Sequence, residues 1–133
     1  MYRIEDISRR GIKGELRVES LAPETIFSAI LTNPKWASKT SIEQVARMMY
    51  ELEESGINTS KALYYRTGSS VYCDDLSRFV GKLVSFGYAS DKDKIVLTKE
   101  GMELCLERAR KGGEANLEQM ERLKRFLEER NPD

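Results

Sequence analysis

The sequence predicts a mainly α-helical fold with one small β-hairpin, on three observations. Apolar residues recur at spacings of three and four in six stretches between residues 23 and 130. One strand–turn–strand pattern, Tyr88-Ala89-Ser90, then Asp91-Lys92-Asp93-Lys94, then Ile95-Val96-Leu97, interrupts them. Capping residues and glycines punctuate the helical stretches where helices start and stop. At 133 residues the chain has the size of one domain and buries about two-thirds of its unfolded surface, enough for a single core.

The N-terminal extension, residues 1–39, opens on an alternating segment. Ile12, Gly14, Leu16 and Val18 fall on one side and Lys13, Glu15, Arg17 and Glu19 on the other, predicting a half-buried strand over 12–19. Pro23 suits the first turn of a helix over 23–32, Glu24 the positive end of its dipole, and Ile26, Phe27, Ile30 and Leu31 its buried stripe. That helix stops by Asn33, before Pro34, and residues 33–39, with the only tryptophan, Trp36, form a loop.

Thr40-Ser41-Ile42-Glu43 reads as a capping box, in which Thr40 and Glu43 satisfy each other's amides. Ile42, Val45, Ala46, Met49 and Leu52 then face a core until Gly56 ends the helix. Asn58-Thr59-Ser60 offers a cap for a short second helix to about Arg66, with Ala62, Leu63 and one of Tyr64 or Tyr65 inward, closed by Gly68. A third helix runs from a Ser69-Ser70 cap to Phe86, burying Cys73, Leu76, Val80 and Leu83, and Gly87 ends it. After the hairpin, Thr98 caps a helix from Lys99 to about Arg110, which Gly112-Gly113 breaks. Residues 114–130 form an amphipathic helix with Leu117, Met120, Leu123 and Leu127 on one face and the pairs Glu118–Arg122 and Glu121–Arg125 outside.

Composition excludes several function classes. No apolar run approaches the ~18 residues of a membrane helix, and Arg3, Glu5, Asp6, Arg9 and Arg10 break up any signal-peptide core, so a cytoplasmic location is expected. There is no histidine, and no inward-facing carboxylate cluster replaces it, so neither an enzyme, a metal site nor a cofactor is expected. Cys73 and Cys105 are neither a CxxC motif nor a disulfide framework; they read as small buried apolar residues, a redox-sensing pair being the alternative. Lys plus Arg equals Asp plus Glu at 22 each, so any attraction for nucleic acid must be local.

Three helices, a two-stranded hairpin and another helix is the element order of a winged helix-turn-helix. The wording agrees: Leu76-Ser77-Arg78-Phe79-Val80-Gly81-Lys82-Leu83-Val84-Ser85-Phe86-Gly87-Tyr88, followed by Ile95-Val96-Leu97-Thr98-Lys99-Glu100-Gly101, looks like the end of a recognition helix, a wing and the next helix start. Residues 40–110 thereby resemble the MarR-like and PadR-like transcriptional regulators. Residues 111–133 are the C-terminal amphipathic element.

If the third helix enters a major groove, Ser77, Arg78 and Lys82, with Val71, Asp74, Asp75 and Ser85, lie on the side that meets bases. Arginine can bond guanine bidentately, and either cation can pair with phosphate. Ser69 and Ser70 at the helix start, Arg66 in the turn and Lys61 on the second helix complete that candidate DNA face, together with Lys92 and Lys94 of the hairpin, which the resemblance places at a wing that touches minor groove or backbone. From Ile57 to Lys94 these six cations (Lys61, Arg66, Arg78, Lys82, Lys92, Lys94) face four anions (Asp74, Asp75, Asp91, Asp93), an excess of only two. A single copy therefore binds weakly, which points to a homodimer through Leu117, Met120, Leu123, Phe126 and Leu127, unless that stripe folds back onto the chain's own N-terminal helix. The expected partners are duplex DNA and a second copy. The alternatives are a winged helix that docks a protein through Asp74 and Asp75, and an enzyme subunit or small-molecule sensor with a pocket between the winged core and the terminal helices, lined by aromatics such as Trp36, Tyr64 and Tyr65.

Overall fold

The computed structural model describes residues 21–57, 64–67 and 70–132, with backbone alone for 64–67, 70 and 71. The strand predicted over 12–19, and the candidate residues Lys61 and Ser69, lie outside the described residues. Described are five helices and two short antiparallel hairpins: α1 (Pro23–Thr32), α2 (Ile42–Glu54), β1 (Tyr64–Thr67), β2 (Ser70–Cys73), α3 (Asp74–Ser85), β3 (Ala89–Ser90), β4 (Val96–Leu97), α4 (Lys99–Ala115) and α5 (Leu117–Glu129). The fold is mainly helical, and none of the described helices is long and apolar enough to cross a membrane.

The apolar stripes of these helices meet in one core. Ile26, Phe27, Ile30 and Leu31 of α1 join Val45, Met49 and Leu52 of α2, Leu76, Val80 and Leu83 of α3, and Leu123 and Leu127 of α5. The longest packing interface is α1 on α4, while β2 lies against α2. The α1–α4 crossing is close because its contact residues are small: Gly112 abuts the Thr25 side chain, and Ser28 and Gly113 are buried.

Helix ends follow local chemistry, with one shift in register. α2 begins one residue later than its sequence predicts: Ser41 is the cap, its hydroxyl accepting from the Gln44 amide at 3.2 Å while Gln44 Oε1 accepts from the Ser41 amide at 2.8 Å. Thr40 is committed elsewhere, since it is wholly buried and its carbonyl accepts from the Ile95 amide at 2.8 Å. Its hydroxyl has no hydrogen-bond partner among the described residues. Thr40→Val removes that orphan polar group at nearly constant shape, so it is expected to raise stability by about 1 kcal/mol. A higher denaturant midpoint at unchanged slope is the measurement; an unchanged or lower midpoint would show that the hydroxyl is satisfied. At the other end of α3, Gly87 takes a φ of 77°, which a side chain disfavours. This lets the Tyr88 amide reach the Leu83 carbonyl at 2.8 Å and the Gly87 amide reach Val84 at 3.0 Å, closing the helix as a Schellman motif.

Three segments depart from the sequence reading. The predicted second helix is, over its described part, the hairpin β1–β2, with Tyr64 opposite Cys73, Tyr65 opposite Tyr72, Arg66 opposite Val71 and Thr67 opposite Ser70. Aromatic and β-branched residues on both sides of a two-residue Gly68-Ser69 connection favour a hairpin over helix punctuation. In consequence α3 starts at Asp74 rather than after Ser70, and its cap position is Cys73, which makes no side-chain cap bond. Next, α4 does not break at Gly112-Gly113 but continues to Ala115, because those glycines are where Thr25 and Met120 pack against the helix. The turn is delayed to Asn116, whose side chain accepts from the Gln119 amide at 3.4 Å and caps α5.

The third departure concerns α5 itself. Of the two partners its stripe allows, a second copy or its own chain, the packing favours the second: Met120, Leu123, Phe126 and Leu127 are buried within their own chain. The helix is fastened to the 33–39 loop: Trp36 Nε1 donates to the Leu127 carbonyl at 2.9 Å, and Lys35 Nζ to the Glu128 carbonyl at 2.7 Å. Of the five candidate dimerisation residues only Leu117 is exposed, at 68%. The outer Glu118–Arg122 pair forms as its spacing predicts, at 3.1 Å.

Candidate nucleic-acid interface

Helix α3 divides its residues between core and solvent as its periodicity requires. Leu76, Phe79, Val80 and Leu83 are buried, leaving Asp74, Ser77, Arg78, Lys82 and Ser85 exposed. Asp74 and Asp75 sit at the positive end of the helix dipole and Lys82 at the negative end, so part of this charge arrangement serves the helix itself. Arg78 remains two-thirds exposed and makes, among the described residues, one weak ion pair, 3.4 Å, to the half-buried Asp75 one turn earlier. Lys82 has no ion-pair partner among the described residues.

The hairpin that follows is pinned at its base. Ala89 pairs with Leu97 and Ser90 with Val96, the Thr98 amide donates to the Tyr88 carbonyl at 2.8 Å, and Ile95 is buried. Its two lysines have different surroundings. Lys92 is exposed at the tip between Asp91 and Asp93, whereas Lys94 is half-buried and donates to Gln44 Oε1 at 3.3 Å, drawing it toward the start of α2. Arg66 and Ser70 belong to the strands β1 and β2, described by backbone alone, so Arg66 is not in a turn between two helices and Ser70 is not at the start of α3. The candidate residues that the fold sets on α3 and its adjoining hairpin are therefore Ser77, Arg78, Lys82, Lys92 and Lys94.

This face borders a cleft of about 620 Å³ between α3, the start of α1 and α4. Across the cleft from Arg78 and Lys82 stands Arg108 of α4, which contacts Glu24 of α1 at 3.5 Å and lies 5.9 Å from the centre of the Phe79 ring. Only the spacing of α3 was legible beforehand; that α1 and α4 supply the other wall is a tertiary fact. Both cysteines are buried and free of any disulfide. Burial pushes the Cys73 thiol up from its ordinary value of 9.0, and the carboxylates of Asp75 and Asp74 add to the effect. Burial likewise raises Cys105, against a smaller opposing pull from the Ser28 hydroxyl. Both shifts disfavour the thiolate, the form that a nucleophilic cysteine requires. Iodoacetamide is expected to leave both unmodified in the native protein and to label both after denaturation; native labelling at either would contradict the packing. No group of histidine, cysteine and carboxylate side chains among the described residues could hold a metal ion.

Comparison with protein-family models, curated proteins and solved structures finds nothing that matches this chain.

Proposed function

We propose that residues 40–110 act as a winged-helix variant that binds duplex DNA, with α3 presented to the groove and the β3–β4 hairpin as the wing, and that the protein works as a transcriptional regulator. In this variant the β1–β2 hairpin occupies the place of a second helix. The observation that carries the reading is the exposure of Arg78 and Lys82, one turn apart on α3, on a helix that leads directly into a hairpin tipped by exposed Lys92. Selection of bound sequences from random duplex DNA, at low and at physiological salt, is the direct test. Arg78→Ala is expected to weaken a preferred site about tenfold and to relax its selectivity. Lys92→Ala should instead weaken all sequences and reduce the slope of log affinity against log salt by about 0.9. Equal behaviour of the two variants would remove base reading from α3.

A homodimer supports this function, because two copies double the phosphate contacts and pair the half-sites of a palindrome. With the rest of the α5 stripe inside the protomer, the surface offered to a second copy is the groove between α1, α4 and α5, whose edges carry the exposed Leu106 and Leu117. The second reading, a protein-docking module, is favoured by Asp74, exposed at the front of α3, and by the weak hold of Asp75 on Arg78. Asp74→Asn separates the two: on a DNA face it strengthens nonspecific binding, whereas on a docking face DNA binding stays absent.

A further inference from the structure

We propose that the cleft beside α3 binds single-stranded nucleic acid, with a base stacked on Phe86 and the backbone held by Lys82, Arg78 and Arg108. The inference rests on the nucleic-acid reading above and extends it from duplex to strand. Asp75, Arg78, Phe79, Lys82, Leu83 and Phe86 all border the cleft. They recur at helical steps of three and four, so one face of α3 lines it for a length of about 16 Å. The two walls carry cations of different origin, Arg78 and Lys82 on α3 and Arg108 on α4, and between them lies an apolar floor that includes Phe79 and Leu83.

Phe86 is what the core does not explain. It is 71% exposed, at the C-terminal end of α3, four residues and hence one turn from Lys82. Its ring lies 6.0 Å from that of Tyr88, tilted by 33°, so two aromatic surfaces stand at the same end of the cleft. An exposed ring with unpaired or loosely paired cations beside it is the combination a single strand uses: the ring takes a base whatever its sequence, and the cations follow the phosphates. An unstacked base offers this ring a whole face, which the bases of an undistorted duplex do not. Two carboxylates oppose a polyanion, but each is already occupied, Asp75 by Arg78 at 3.4 Å and Glu24 by Arg108 at 3.5 Å. Such exposed pairs are weak, so both guanidinium groups can turn to phosphate without leaving a buried charge behind. Lys82 needs no exchange at all. Because strand and duplex would share Arg78 and Lys82, they compete.

Fluorescence anisotropy with the full chain, using one dye-labelled sequence as a single strand and as a duplex, tests this at low and physiological salt. The strand is expected to bind and, unlabelled, to displace the duplex. Phe86→Ala, a surface substitution that leaves the core intact, should weaken the strand about tenfold without altering its salt slope. Lys82→Ala should reduce that slope by about 0.7. Unchanged strand affinity in Phe86→Ala overturns the inference. Duplex binding with no strand binding overturns it too, while the duplex reading stands; failure of both forms to bind removes the two together. Capture of an acidic, aromatic peptide in preference to the strand would assign the cleft to a protein partner and equally overturn it.

Discussion

Removing α5 is expected to unfold the protein rather than to convert a dimer into a folded monomer. Met120, Leu123, Phe126 and Leu127 are all buried, Leu123 completely. Burying a side chain of this size contributes about 1.5–3 kcal/mol. Four of them are therefore of the order of the whole net stability of a domain, about 5–15 kcal/mol. Truncation also removes polar fastenings: the indole N–H of Trp36 loses the Leu127 carbonyl, and Glu51 loses its 3.6 Å contact with Arg130. A chain ending at Asn116 should show no cooperative melt and should aggregate. The graded form of the experiment is cleaner. Leu123→Ala should cost about 2–5 kcal/mol, the range for a leucine cavity that cannot collapse. Leu117→Ala, on the same helix but at an exposed position, should stay within about 0.5 kcal/mol. A truncated chain with the native circular dichroism and melting midpoint would show that α5 is peripheral and would restore it as a candidate subunit interface.

The contrast between Leu123 and Leu117 also shows what periodicity conveys. A stripe at steps of three and four states that a helix buries one face; it does not state against which chain. The caps were misplaced, at Thr40 rather than Ser41 for α2 and after Ser70 rather than at Asp74 for α3, but the buried faces of α1, α2 and α3 were legible because local pattern and packing agree. The β3–β4 hairpin was legible for the same reason. β1–β2 was not, because Asn58-Thr59-Ser60 and Ser69-Ser70 each resemble a helix cap, and that signal competed with the Tyr64-Tyr65 and Val71-Tyr72 runs on either side of Gly68-Ser69. For the candidate site, the solvent-facing side of α3 followed from its stripe, so Arg78 and Lys82 could be named. Their opposition to Arg108 and Glu24 could not, since those residues lie more than twenty positions away along the chain and meet the cleft only when α1 packs on α4.

The α1–α4 packing supplies a second large effect, and its sign runs against helix propensity. In an exposed helix interior, glycine is less favourable than alanine by about 0.8–1 kcal/mol. Gly81 of α3 fits that case: a methyl group there meets nothing within 4 Å, so Gly81→Ala should stabilise by roughly that amount. Gly112 of α4 does not. A Cβ at that position overlaps the hydroxyl and methyl of Thr25 and crowds its Cβ as well. Thr25 is buried and β-branched, with little rotamer freedom to give way, so relief requires α1 and α4 to separate along their interface. Gly112→Ala should therefore destabilise despite its better propensity, and Gly112→Val, which adds branching at the same point, should cost about 3 kcal/mol, the upper part of the overpacking range. Thr25→Ala removes the two overlapping atoms and is expected to recover part of the loss in a double-mutant cycle, a coupling that unrelated sites would not show. If Gly112→Ala raises the unfolding midpoint as Gly81→Ala does, the helices cross less closely than described and the wall that Arg108 contributes to the cleft moves with them.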